Sequence, residues 1–404
     1  NNSAGNLTRT FSLFTQHTNG NQFQTLEYGN YILTELDNEG DWGNIYQACV
    51  NANKIVKTYE TANPYYGGIG RILLALNMGY ATDAWGDIPF SEAFEGATGN
   101  IAPKYDTQEN AIKLIQSYLD TAITDLSKAP SSNLVVPGSD DIFYNGSTTK
   151  WIKLAYGIKA RYAMRLTQRE GSTAAAQKAL DYLQHSLTSK SDNLVATFDG
   201  GNNQSSWYAF NNQRGGYMGM GKYFIDLLNS TSDPRLPFYA TTDSNNGYSG
   251  ASPELPDGNT SQFGDYFAGS AATPLNIFSF SEIKFIEAEA QFRLGNTSGA
   301  RTALQAAVSA SLVDITGSDN TAFATNAATT VTLQNIIKQK YVALFTTSEP
   351  YNDFRRTGFP VLTPNQNSES KKIPLRLITP KSERTLNNNA TIVSDFYAPV
   401  WWDN

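Results

Sequence analysis

Cysteine, histidine and charge are all scarce in this 404-residue chain, which has one Cys, two His and 17% charged residues. The single thiol, Cys49, excludes an intramolecular disulfide framework and any cysteine-rich metal cluster. His17 and His185 are too few for histidine-rich metal chemistry, and a hydrolytic relay would need one of them in a specific place. No catalytic residue, metal or cofactor is therefore expected. The stretch Asp37-Asn-Glu-Gly-Asp is not an EF-hand loop and carries no metal prediction. With 30 Lys+Arg against 37 Asp+Glu and a net charge of -7, the chain has no overall attraction for phosphate backbones, so nucleic acid is not an expected partner. No stretch of about 18 apolar residues occurs, which leaves no candidate membrane-spanning helix.

What is abundant is aromatic area, 12% of residues, set among Asn, Gly, Ser and Thr. Amides bond to hydroxyls and flat rings cover the apolar faces of sugars, so this palette suits neutral, hydroxyl-rich ligands; an uncharged exterior accounts for it equally well. At roughly 100–200 residues per domain, the length allows two or three compact units or one larger helical body.

Apolar periodicity predicts helices over residues 42–59, 70–84, 106–128, 150–168, 173–187 and 333–345. Asp106 with Glu109, and Ser279 with Glu282, have the spacing of capping boxes. Gly171 is followed by Ala176, Leu180 and Leu183, and Gly295 by Ala300, Leu304 and Ala307 at identical offsets. Both joints read as tetratricopeptide-type hairpins: glycine permits the turn and small residues let paired helices approach. Two ordinary helical hairpins would give the same pattern. Between them, residues 190–274 are rich in Gly, Asn, Ser and aromatics, and long irregular insertions of this kind are usually functional.

Several segments together resemble the SusD/RagB family of surface-exposed nutrient-binding lipoproteins. They are the helix from Ala75 running into Asp83-Ala-Trp-Gly-Asp-Ile-Pro-Phe, Lys150-Trp-Ile-Lys-Leu-Ala with Arg161 and Arg165, and Glu287-Ala-Glu-Ala. Tyr351-Asn-Asp-Phe-Arg-Arg-Thr-Gly-Phe-Pro, Ile373-Pro-Leu-Arg-Leu and the terminal Val400-Trp-Trp-Asp complete the series in order. Tyr156-Gly157 depart from the family's usual Asn-Ser, and no lipidated N-terminal Cys is present. The resemblance implies an all-α, SusD-like unit over 1–404, with a tetratricopeptide-like scaffold mainly at 42–187 and 275–360. A loop-rich, ligand-facing insertion at about 190–274 and an irregular C-terminal segment at 361–404 complete it. It further implies a non-catalytic outer-membrane lipoprotein, anchored by a lipidated Cys upstream of residue 1. Such a protein captures oligosaccharides for a SusC-like TonB-dependent transporter. A peptide-binding member of the family and a protein-interaction scaffold are the alternatives. A glycoside hydrolase built on Asp37 with Asp41, or Asp83 with Asp87, is the least favoured.

The family's motif residues read as structural: Trp85 as packing, Gly86 and Pro89 as turn formers, Arg355 and Arg356 with Asp353 as an ion pair, and Cys49 as a buried thiol. Ligand-binding rings are therefore sought on polar loops, where neighbours do not help a ring to bury. Two clusters meet that test. Trp207 and Tyr208 lie among Asn203, Asn211 and Arg214, with Tyr217 and Tyr248 beyond; Tyr28, Tyr31 and Trp42 lie among amides and carboxylates between Asn19 and Trp42. Tyr65 and Tyr66 form a weaker third set. Each of these rings could instead be core, since rings bury large area wherever they can.

Overall fold

The computed structural model describes residues 5–404, and its regular structure is almost entirely helical, with long irregular connections. In chain order the helices of the first half are α1 (Asn6–Phe14), α2 (Phe23–Gly29), α3 (Glu39–Tyr59), α4 (Pro64–Trp85), α5 (Gln108–Leu126), α6 (Thr148–Arg165) and α7 (Ser172–Leu183). There follow α8 (Ser206–Gln213), α9 (Lys222–Ser230), the single turns α10 (Leu236–Tyr239) and α11 (Asp265–Ala268), α12 (Phe280–Arg293), α13 (Thr297–Thr316) and α14 (Thr321–Ala327). The last are α15 (Leu333–Ala343), α16 (Glu349–Thr357) and α17 (Lys381–Leu386). Strands are few and short: β1 (Thr18–Gly20), β2 (Leu194–Ala196), β3 (Met218–Met220) and β4 (Leu275–Phe278), paired β1 with β3 and β2 with β4. The segment 190–274 carries α8 to α11 with β2 and β3 between its loops.

Two compact units form. Of the described residues, one unit holds 5–33 together with Val195–Pro374, the other Thr34–Leu194 with Leu375–Asn404. The expected scaffold segments 42–187 and 275–360 fall in different units.

In the second unit α3 to α7 pack in sequence order, each against the next. Gly171, at φ 86°, makes the turn into α7 in a backbone region that L side chains rarely adopt, and Ala175, Ala176 and Ala179 turn inward behind it. Close approach recurs on α4, where a Cβ on Gly79 would lie 2.0 Å from the Tyr162 hydroxyl of α6. The cap of α5 differs from expectation: Thr107, not Asp106, accepts from Asn110 N. Asp106 turns instead to the preceding loop and accepts from Phe90 N at 3.0 Å and Ser91 N at 2.6 Å.

The Asp83-Ala-Trp-Gly-Asp motif organises this unit. Asp83 forms a buried ion pair with Arg165 at 3.0 Å, and Asp87 accepts from Gln108 N, at the start of α5, at 2.8 Å. Trp85 donates to the Ile378 carbonyl at 3.1 Å, and Gly86, at φ 82°, leaves room for the Arg376 guanidinium against its backbone. The C-terminal segment returns through Leu377 N to Ala84 O at 2.8 Å and Trp402 N to Gln108 Oε1 at 3.1 Å. Cys49 is buried in the same unit and its thiol pKa is raised by desolvation, as a structural cysteine's should be.

In the first unit α12 and α13 form the matching hairpin, with Gly295 at φ 78° between them and Ser279 Oγ capping Glu282 N at 3.2 Å. Its interior carries charge. Arg356 on α16 meets Glu289 on α12 through two bonds, at 2.5 and 2.7 Å, and reaches Asp353 at 2.7 Å. Lys340 on α15 sits 2.9 Å from the other Asp353 oxygen, and Arg293 sits 2.7 Å from Glu289. Burial alone would raise the Glu289 pKa, but Arg356, with Arg293 and Lys340, holds it down to about 2. His17 is enclosed nearby, stacked 3.7 Å from the Tyr341 ring, with Nε2 donating to the Tyr341 carbonyl at 2.9 Å. Burial pushes its pKa from 6.5 to about 3, against the opposing pull of that carbonyl.

Two predictions follow from these buried groups. Removing Arg356 strands Glu289 and Asp353 in the interior, so Arg356→Ala should lower unfolding free energy by about 3–5 kcal/mol; a loss below about 1 kcal/mol by urea titration would refute the pairing. His17 stays neutral when folded, whereas the unfolded chain takes up its proton below about pH 6.5, so its contribution is complete above that pH and is lost as pH falls toward 3. Between pH 7 and 5 the stability should drop by up to about 1.4 kcal/mol per pH unit, and His17→Gln should flatten that slope. The Glu289 term enters only below about 4.5, outside this window, so equal slopes in both proteins would exclude His17 as the cause.

Candidate functional site

Burial sorts the predicted rings. Trp207 is fully buried, and Trp42, Tyr28 and Tyr31 are exposed by 5%, 3% and 4%. These four are corrected from ligand-facing to core, because a ring covered on both faces has none left for a sugar. Trp207 points inward from α8 and meets Phe263, Phe267 and Phe345 edge-on at centroid distances of 5.4, 5.1 and 5.9 Å. Trp42 packs edge-on against Trp85 at 5.2 Å, and Tyr31 against Phe14 at 6.0 Å with its hydroxyl accepting from Asn365 N. Tyr28 joins the core around Leu13 and Trp207. Polar sequence neighbours misled because the partners that bury these rings come from distant parts of the chain.

Tyr208, Asn203, Asn211 and Arg214 remain accessible. On α8 the i, i+3 spacing sets Tyr208 and Asn211 on one face, away from Trp207. Past its end, Tyr217 N returns to Arg214 O at 3.1 Å, which brings Tyr217 to the head of β3. Of the third set, Tyr65 is buried and bonded to the Lys128 carbonyl, while Tyr66 donates to Asp140 at 2.6 Å.

Tyr217 meets a ring that the residue pattern did not single out. Phe23, between Gln22 and Gln24, is 65% exposed, at 4.7 Å and 30° from Tyr217. Its φ is 50°, in the left-handed region that a bulky side chain rarely adopts. A strained backbone of this kind persists only where its surroundings fix it, and here they do. Thr25 Oγ1 donates to Tyr217 O at 2.5 Å, and Asn21 N donates to the same carbonyl at 2.7 Å. The polar residues either side of Phe23 were the available signal, since an aromatic with amide neighbours in a tight turn has little to bury against.

The β1/β3 ladder joins this ring pair to a cleft. Its register pairs Gly20 with Met218 and Thr18 with Met220. Gly20 is required, since a Cβ there would lie 1.9 Å from the Thr25 carbonyl. Beyond the other end of the ladder lies a cleft of about 360 Å³, lined by Thr18, Asn19, Lys222, Tyr223, Ser252 and Glu254 among others. Asn19 Nδ2 donates to Asn21 Oδ1 at 2.9 Å, which leaves the buried Asn21 Nδ2 without an acceptor. Lys222 is neutralised by Asp226 at 2.6 Å. Rings, amides and hydroxyls with little uncompensated charge are groups that hold a neutral polyol and activate no nucleophile. Among the described residues, no cluster of three His, Cys, Asp or Glu could hold a metal ion.

The family described as starch-binding and associating with the outer membrane, of the SusD-like type, matches residues 1–380. The chain belongs to the SusD/RagB family. A SusD/RagB family protein from Bacteroides thetaiotaomicron is 27% identical over 100% of this chain and 95% of its own, with a TM-score of 0.84. A chitin-binding protein is 24% identical over 99% and 97%, at 0.83. A chitin-binding SusD homolog from Flavobacterium johnsoniae is 21% identical over 98% and 93%, at 0.86. No curated protein matches. Members of the SusD/RagB family bind carbohydrate and are not catalysts, which retires the hydrolase alternative. Asp83 and Asp87 have the structural partners already described. The family is outer-membrane-associated, and no helix among the described residues is long and apolar enough to cross a membrane.

The correction at position 207 is testable. Trp207→Ala empties a large core volume and should cost about 3–5 kcal/mol of stability; a variant as stable as wild type by thermal unfolding would restore the ring to the surface.

Proposed function

We propose that this SusD-like protein captures neutral oligosaccharides at the cell surface and passes them to a SusC-like TonB-dependent outer-membrane transporter. The observation that carries the ligand assignment is the exposed Phe23–Tyr217 ring pair, held by a strained turn beside the amides of the β1/β3 ladder. Tyr208, Asn203, Asn211 and Arg214 are accessible on and around α8, whose end leads through the Arg214–Tyr217 turn to the ring pair, and the cleft beside Tyr223 gives a chain a place to continue. A net charge of -7 disfavours polyanionic glycans. Chitin binding by two similar proteins makes β-linked N-acetylglucosamine oligomers the first ligand to try. A lipid anchor holds the protein at the outer membrane in this reading. Peptide binding is the second reading, favoured only by the Lys222–Asp226 and Glu254 charges at the cleft.

The test is calorimetry with chitohexaose, maltoheptaose, cellohexaose and xylohexaose. Joint Phe23→Ser and Tyr217→Ser replacement should weaken binding of the cognate sugar by at least about tenfold, the equivalent of about 1.4 kcal/mol, with the melting temperature kept. Unchanged affinity for every sugar that binds the wild type would remove the ring pair from the site.

A further inference from the structure

A second groove lies wholly within the other unit. Along α5, Glu109, Ile112, Lys113, Gln116, Asp120 and Thr121 recur at helical spacing and line one wall over three turns, about 18 Å at 1.5 Å per residue. The end of α6, the start of the α6–α7 turn and Trp401 line the rest, and the space enclosed is about 580 Å³. That volume falls in the range of roughly 300–1,000 Å³ typical of small-molecule sites.

The chemistry of the lining narrows the occupant. The floor is aliphatic and closed, since Ile112, Ala163 and Leu166 are all buried. Every charge on the rim has a partner: Glu109 with Lys113 at 2.6 Å, Asp120 with Lys159, Glu170 with Lys178 at 3.4 Å, and Arg169 Nε with the Trp401 carbonyl at 2.5 Å. The Arg169 guanidinium also stacks on Trp401, 4.9 Å from the ring, and steadies it. With the rim carboxylates and lysines paired, only the Arg169 guanidinium, covered on one side by Trp401, keeps its charge, which offers little to an ionic ligand. A lipid would need apolar walls as well as an apolar floor. A peptide bound by strand addition would need a sheet edge for its backbone, and the lining offers only helix and turn side chains. An aromatic wall, an aliphatic floor and a rim of amide, hydroxyl and paired charge match the alternating CH faces and hydroxyls of a sugar chain.

We infer that the groove between α5, the α6–α7 turn and Trp401 is a second binding site for a neutral oligosaccharide, in which Trp401 stacks on a sugar ring and Gln116 and Thr121 bond its hydroxyls. The choice of sugar over other neutral ligands rests on the function proposed above; the groove itself does not.

The tryptophans make the site separately readable. Trp42, Trp85, Trp151, Trp207 and Trp402 are all buried, and of the six only Trp401 is partly open to solvent. Acrylamide quenching of the intrinsic fluorescence therefore reports on Trp401, and Trp401→Phe should abolish the quenchable component. With the hexasaccharide and heptasaccharide panel, a sugar occupying the groove protects this component from acrylamide, and Trp401→Ala, read by calorimetry because it removes the fluorescent reporter, weakens binding at the groove by about tenfold, or about 1.4 kcal/mol. Protection that survives in the Phe23→Ser, Tyr217→Ser double variant establishes the groove as an independent site. Calorimetric binding of a sugar with no protection of Trp401 overturns this inference and leaves the ring-pair site standing. Protection of Trp401 with the double variant otherwise like wild type does the reverse. If no sugar in the panel binds, or if a tryptic peptide mixture alone protects Trp401, the oligosaccharide assignment falls. Gln116→Ala, a change at a half-buried side chain that also loses a 3.4 Å bond to the Lys159 carbonyl but spares the ring, should also weaken protection; its failure to do so would remove Gln116 from the site.

Discussion

Arg356 can lie in the interior of its unit only because Glu289 and Asp353 meet it there. The guanidinium takes a two-point contact from one carboxylate and a third bond from the other, while Lys340 and Arg293 balance what remains. A desolvated charge without such partners would cost several kcal/mol, so α12, α15 and α16 are bound to one relative placement. The other unit repeats the device on a smaller scale with Asp83 and Arg165, over which Tyr162 and Trp402 close. The motifs that carry the family resemblance are therefore mainly internal ion pairs and turns. They fix the scaffold around buried charge and turns.

Much of the scaffold was legible along the chain. The helical periodicities from α3 to α7, the two glycine joints and the cap at Ser279 all appear close to where spacing put them, because each is decided by residues within a few positions of one another. The cap at α5 was misplaced by one residue, since Asp106 is drawn away by the Phe90 and Ser91 amides, a contact that local sequence does not contain. The same reason accounts for the site. Trp207 sits in a polar stretch, yet Phe263, Phe267 and Phe345 arrive from far along the chain to cover it. Phe23 passed unnoticed because its importance lies in a positive φ and in Tyr217, nearly two hundred residues away. Ring type and neighbour polarity locate candidate loops, and only tertiary packing decides which face of which ring reaches water.

Scarcity of charge takes on a definite meaning in this light. Charges that do occur are mostly matched in place, whether buried around Arg356 or exposed along α5, so few are left to steer an ionic ligand. The surface is instead one of amides, hydroxyls and a small number of uncovered rings. Affinity on such a surface grows by adding modest contacts along an extended ligand, and it should be largely insensitive to salt.

The turn at Phe23 has a cost that falls on the folded protein as a whole. A bulky residue with φ of 50° is held in a conformation that glycine or asparagine would adopt more easily. A chain selected for stability alone would carry one of those residues at this position. Retaining phenylalanine sets durability against an exposed ring at a single backbone angle, so any engineering toward higher thermal resistance would draw the sequence away from that ring.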